Sequence, residues 1–230
     1  MNGILVVDKP KGITSHDVVD FIRRHFRLIK VGHAGTLDPI ATGVLVLLIG
    51  DMTKRSAFLS NDEKEYEAKM VVGARSDTGD ADGVLEPSKC PLHFTRSAVE
   101  EVLKSFTGEI RQVPPMYSAI KFKGQKLYQL ARRGVTVERA PRSVTISSLS
   151  IKEFRIPEIV IAVTCSKGTY IRQLGVDIGE KLGCGAYLAD LRRIRSGTFR
   201  INEAVSFATL ERSSPGDIGR FIYGSAHEGI

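Results

Sequence analysis

Apolar residues recur along this chain with two periods, and the switches between them mark its elements. Residues 4–7 form an apolar run that reads as a strand, ended by the Lys-Pro-Lys-Gly turn at 9–12. Thr14 followed by Asp17 is a capping-box pattern. It opens a helix to residue 27 with Val18, Phe21 and Ile22 on one face. Residues 44–49 are all apolar and bracketed by Gly43 and Gly50, the signature of a buried strand. A short helix over 52–59 and an alternating strand over 66–72 follow. The 3.6-residue period returns over 95–106, placing Ala98, Val99, Val102 and Leu103 inward. Pro114 and Pro115 break the chain before a strand over 118–122. A helix over 125–133 then stops at Gly134, a candidate C′ glycine. Strands over 143–154 and 158–165 suggest a hairpin around Pro157. A helix ending at 182–183 and a strand over 197–201 complete the pattern. Strands outnumber helices without regular alternation, which predicts an α+β fold with a mixed, largely antiparallel sheet flanked by helices.

Chain length permits one large domain with a real core, or two small ones. The net charge of +7 favours a polyanionic partner. That charge is clustered: Lys121, Lys123 and Lys126, then Arg132, Arg133, Arg139 and Arg142, then Arg192, Arg193 and Arg195. Tyr117, Phe122 and Tyr128 interleave with the first group, which suits backbone contacts combined with base stacking. The basic stretch 114–142 therefore reads as a lobe inserted between elements of the sheet. Three scattered cysteines exclude a disulfide framework, and no targeting or membrane-spanning segment is evident, so a cytoplasmic protein is expected.

The chemistry must run on few groups. The histidines lack metal-ligand spacing, no phosphate loop occurs, and no nucleophile elbow is present. The run Asp-Thr-Gly-Asp-Ala-Asp-Gly at 77–83 invites a calcium reading. With Gly83 at the sixth loop position, however, the twelfth falls on Lys89 where an acid is needed. No metal, small-molecule cofactor or membrane partner is expected. Asp38 stands out: it lies between a loop carrying Gly32 and Gly35 and the buried strand, with Pro39 fixing the backbone after it. An Asp before Pro is also an ordinary turn-former, and the residue alone leaves both readings open.

The wording around it is informative. Gly-His-Ala-Gly-Thr-Leu-Asp-Pro-Ile-Ala-Thr-Gly-Val-Leu at 32–45 resembles the catalytic motif of the TruB family of tRNA pseudouridine synthases. Leu-Val-Val-Asp-Lys-Pro-Lys-Gly at 5–12 resembles that family's N-terminal Lys-Pro motif. Glu-Tyr-Glu at 65–67 with the acidic run at 77–83 resembles its tyrosine strand and acidic loop. Val-Pro-Pro-Met-Tyr-Ser-Ala-Ile-Lys at 113–121, Cys-Ser-Lys-Gly-Thr-Tyr-Ile-Arg at 165–172 and Tyr-Leu-Ala-Asp-Leu-Arg-Arg at 187–193 match further blocks, in family order.

The resemblance implies a pseudouridine-synthase fold, isomerisation of uridine-55 in the T-arm of tRNA, and no cofactor. Asp38 would be the reacting carboxylate, as nucleophile or as an anion facing a cationic sugar. Arg172 would be the cation that keeps it ionised, Tyr66 the ring stacking on the flipped base, Tyr170 and Leu191 pocket walls, and Lys9 a supporting residue. His33 would enter the RNA loop, and Lys121, Lys123, Lys126, Arg132, Arg133 and Arg142 would grip RNA by shape and backbone. Without the motifs, Arg172 reads better as a helix-surface arginine, Tyr66 equally as core, His33 as a solvated loop residue and Lys9 as a solvated turn lysine. A monomer is expected. So is a short form in which a catalytic domain over 1–210 precedes a polar tail over 211–230, without the family's small C-terminal RNA-binding domain. Other readings are a tRNA-binding RNA chaperone, a basic structural protein of a ribonucleoprotein, or a synthase of the same family with another uridine target.

Overall fold

The computed structural model describes residues 1–223, which divide into two compact units, 1–66 with 191–223 and 67–190. In chain order the first elements are β1 (Gly3–Lys9), α1 (Ser15–His25), β2 (Val31–Ala34), β3 (Ala41–Ile49), α2 (Ser56–Leu59) and β4 (Lys64–Val72). Next come β5 (Ala74–Ser76), β6 (Leu85–Pro87), α3 (Arg96–Lys104), β7 (Gly108–Gln112), β8 (Lys121–Phe122), β9 (Gln125–Lys126) and α4 (Leu127–Ala131). The remainder are β10 (Arg142–Arg155), β11 (Glu158–Cys165), α5 (Ile171–Lys181), β12 (Ala186–Ser196), β13 (Phe199–Arg200), β14 (Val205–Ser206), α6 (Phe207–Arg212) and α7 (Ile218–Phe221). The α+β expectation holds: most strand pairs are antiparallel, and β14 on β1 and β12 on β3 are parallel.

The first unit is built on β3. Residues 44–49 are at most 1% exposed, so both faces of this strand are covered, which explains an unbroken apolar run where a half-solvated strand would alternate. β1 lies antiparallel along one edge, from Gly3 opposite Ile49 to Lys9 opposite Gly43. The other edge is shared: Ala41–Gly43 pair in parallel with Leu191–Arg193 of β12, and Val46–Ile49 pair antiparallel with β2. Val6, Ala34, Val44, Val46, Leu48 and Phe199 form one core cluster. Helix α1 carries the expected capping box, with Thr14 and Asp17 reciprocally bonded, and buries Val18, Val19 and Ile22. Phe21 is only half-buried.

In the second unit β4, β11, β10 and β7 lie in that order. The hairpin of β10 and β11 pairs Arg155 with Glu158, and two register shifts interrupt it. Helix α3 is capped by Thr95 and buries Val99 and Leu103, but Ala98 is exposed. The inward stripe is thus narrower than the four-residue pattern implied. Strand β7 ends with Gln112 opposite Arg142 of β10, so residues 113–141 leave and return at one register position. The basic stretch lies in this excursion. Its strand is two residues rather than five, paired as a small ribbon with β9. The helix after it is correspondingly short, because Gln125 and Lys126 are used in that ribbon. Gly134 has φ +72°, as a C′ glycine requires.

Two expectations are corrected. The block at 187–193 lies within an eleven-residue strand, β12, that the periodicity did not reveal, because Arg192, Arg193 and Arg195 read as a charged surface run. The stretch after Leu210 is not featureless: α7 buries Ile218, and the Tyr223 backbone N–H donates to the Ile4 carbonyl at 2.7 Å. Residues 224–230 of the expected tail lie outside the described residues.

Candidate active site

The loop at 35–40, between β2 and β3, presents Asp38, and its backbone is held at almost every residue. A buried arginine, Arg193 (1% exposed), donates from Nη2 to the Gly35 carbonyl at 3.0 Å and from Nη1 to that of Thr36 at 3.4 Å. Its Nε donates to the Val44 carbonyl at 2.6 Å, which lies between the stretches of β3 that pair with β12 and with β2. The Ser15 hydroxyl engages both backbone groups of Leu37. The Asp38 carbonyl accepts from Ala41 N–H at 3.0 Å, closing a turn with Pro39 at its second position, and the Pro39 carbonyl accepts from Gly12 N–H at 2.8 Å. Fixing one residue's backbone costs about 1–2 kcal/mol, and one hydrogen bond returns only about 0.5–1.5. No single bond can therefore fix the loop; the set does. Gly43 permits the close approach behind it: φ is +97°, and a Cβ there would lie 2.2 Å from the Arg193 carbonyl oxygen.

Charge around the half-buried Asp38 is arranged by burial. Lys9, the last residue of β1, is fully buried rather than a solvated turn lysine, and its Nζ donates to the carbonyls of Pro10 at 2.8 Å and Ile13 at 2.7 Å. Desolvation lowers its pKa to about 8; the attraction of Asp38 opposes that fall, and repulsion by Arg193 adds to it. His33 lies in β2 opposite Leu47, not in a loop, and its Nδ1 is buried with no hydrogen-bond partner among the described residues. Its pKa is lowered by burial first, then by Arg193 and His16, which favours the neutral imidazole. Leu191 is buried opposite Ala41, and Tyr66 is half-buried in β4.

In the second unit Arg172 is 6% exposed, which removes the reading as a surface arginine. It faces Asp80 at 3.3 Å and donates to the carbonyls of Thr78 at 3.0 Å and Tyr117 at 2.9 Å. Thr78 and Asp80 belong to the acidic loop, and Tyr117 to the excursion at 113–141, so one guanidinium ties both to α5. Tyr170, the residue before α5, is fixed through its backbone by buried Gln112: Oε1 accepts from its N–H at 2.9 Å and Nε2 donates to its carbonyl at 3.1 Å.

Lys121, Lys123, Lys126, Arg132, Arg133 and Arg142 are all exposed. Lys126 and Arg132 each sit 5.6 Å from the centre of the Tyr128 ring, and Lys123 at the same distance from Phe122. Phe122 and Tyr128 thus already carry cations. The third arginine group is engaged within the chain. Arg192 pairs with Asp8 at 2.7 Å, Arg193 is the loop clamp, and Arg195 pairs with Glu63 and Glu65 at 3.0 and 2.8 Å. Sequence reasoning missed Ser15, Gln112 and the clamp role of Arg193. A usable signal existed for Arg193 alone, because strand parity puts it and Leu191 on one side of β12.

The model of the TruB family pseudouridylate synthase N-terminal domain matches residues 23–171, more than half of the chain. That of the tRNA pseudouridylate synthase B C-terminal domain matches residues 172–215. A tRNA pseudouridine synthase B from Syntrophotalea carbinolica is 51% identical over 94% of this chain and 71% of its own length. The protein of the same name from Dechloromonas aromatica is 48% identical over 92% and 70%. Among solved structures, a chain of a Cbf5–Nop10–Gar1 complex superposes with a TM-score of 0.71 at 32% identity, covering 90% of this chain and 53% of that one. A chain of an H/ACA RNP bound to a substrate RNA containing 2′-deoxyuridine gives 0.68 at 29%, with coverages of 90% and 52%. The chain spans about half the length of these solved chains. With a preorganised Asp38 loop, a buried lysine beside it and likeness of this extent, the chain belongs to the TruB family of pseudouridine synthases.

Proposed function

We propose that the chain converts uridine-55 in the T-arm of tRNA to pseudouridine, with Asp38 as the reacting carboxylate. The observation that carries this reading is the Asp38 loop itself: an acid displayed on a backbone pinned by Arg193, Ser15 and Gly12, with buried Lys9 as a nearby cation. Isomerisation needs the C1′–N1 bond broken, the base turned, C5 joined to C1′ and the C5 proton removed. A single fixed anion serves the first step as nucleophile or as counter-charge to the sugar, and the gain comes from its being oriented beforehand.

Roles for the other residues follow the family likeness. Tyr66 stacks on the extruded base, Tyr170 and Leu191 wall it, and Arg172 supports the anion. The target uridine lies in a folded loop, so extrusion costs a few kcal/mol of stacking and pairing. The exposed cations of 121–142 supply backbone contacts that offset this cost. A pure RNA chaperone has no use for a rigid carboxylate among groups meant to meet phosphates, so the isomerase reading is preferred.

The test is position mapping of pseudouridine in unmodified tRNA and in an isolated T-arm hairpin after treatment with purified protein. Conversion at the T-arm uridine in both is expected. Conversion elsewhere would replace the target, and RNA binding without any conversion would favour the chaperone.

A further inference from the structure

We propose that Ser15 is a positioning residue for the reaction, holding the peptide unit that leads into Asp38; this rests on Asp38 being the reacting carboxylate. Ser15 is the first residue of α1, yet its hydroxyl does not serve that helix, because Thr14 takes the capping role by accepting from Asp17 N–H. The hydroxyl instead crosses to the loop at 35–40. It accepts from Leu37 N–H at 2.8 Å and donates to the Leu37 carbonyl at 3.1 Å. Ser15 is 1% exposed and Leu37 3%, so water cannot replace either bond.

The geometry makes this contact specific. The Leu37 carbonyl and the Asp38 N–H belong to one planar peptide unit, so fixing the oxygen fixes the direction in which Asp38 begins. Arg193 holds Gly35 and Thr36 before it, and Gly12 holds Pro39 after it. Without the hydroxyl, the peptide plane next to the acid can turn while both flanks stay anchored. Ser15 itself is too buried to touch RNA, so its effect must run through Asp38. A shift of about 1 Å in a reacting group costs on the order of 10²-fold in rate.

Three variants of the full chain decide this, with single-turnover rate at saturating T-arm hairpin, RNA affinity and melting temperature read for each. Ser15→Ala is expected to lose about 10- to 100-fold in rate with RNA affinity unchanged. Ser15→Thr keeps the hydroxyl and is expected to restore most of the rate. Ser15→Cys keeps the volume but bonds weakly, and is expected to follow alanine; it decides the matter if Ser15→Ala does not fold. Wild-type rates in Ser15→Ala and Ser15→Cys, a loss explained wholly by weaker RNA binding, or a threonine variant as slow as alanine would each overturn the role. An inactive wild type, or an active Asp38→Asn, would remove the underlying reading together with it. An active wild type, an inactive Asp38→Asn and silent Ser15 variants would remove Ser15 alone.

Discussion

Two side chains show how burial changes what a residue can do. The ammonium of Lys9 has its pKa lowered from 10.5 to about 8, chiefly by desolvation. Between these values the unfolded chain holds a proton that the folded chain releases, so stability gains from this group as pH rises from about 8 toward 10.5. Relative to Lys9→Met, which removes the titration, the wild type should therefore become steadily more stable over that window in parallel melting curves. A constant difference would mean that Lys9 is not desolvated. Tyr66 poses a different question, since stacking needs only its ring and proton transfer at C5 needs its hydroxyl. If the hydroxyl acts, Tyr66→Phe should bind RNA normally and lose on the order of 10² in single-turnover rate. Tyr66→Leu should also lose about 1–3 kcal/mol of base capture. A fully active Tyr66→Phe leaves at most the stacking role. At this scale the sequence showed which residue types mattered through their motifs, but it could not show burial. The spacing around Lys9 reads as a solvated turn, because its carbonyl partners on Pro10 and Ile13 are created by the turn itself.

Among elements, the meeting of β3 with β12 positions the loop that carries Asp38. The parallel pairing of Leu191–Arg193 with Ala41–Gly43 brings the Arg193 clamp to the Asp38 loop. Gly43 is needed there, both for its φ of +97° and because a side chain would meet Arg193 backbone at 2.2 Å. Gly43→Ala should cost about 2 kcal/mol or more, read as a fall in melting temperature of about 4–8 °C. It should also lower turnover more than RNA affinity; an unchanged melting temperature would contradict the close approach. The periodicity found α1, β3 and the β10–β11 hairpin because each buries a regular face. It missed β12 because Arg192, Arg193 and Arg195 read as a charged surface run. In the fold those charges are spent on Asp8, on loop carbonyls and on Glu63 and Glu65, partners distant in sequence. Ser15 and Gln112 were illegible for a related reason: their bonds join residues 22 and 58 positions apart.

For the molecule as a whole, the net charge of +7 is divided between internal and external uses. The exposed share at 121–142 should set the salt dependence of RNA binding, because each phosphate contact releases counterions. Replacing Lys121, Lys123 and Lys126 together by Ala should flatten the slope of log affinity against log salt by up to about 3. An unchanged slope would take this excursion out of the interface. The proposed function rests on one carboxylate, and Asp38→Asn probes it most directly, since the amide keeps the shape and removes the anion. Single-turnover conversion of a T-arm hairpin, measured beside RNA affinity, should show turnover abolished and binding retained. Turnover above about one hundredth of wild type, the scale of acid–base help alone, would contradict Asp38 as the reacting group.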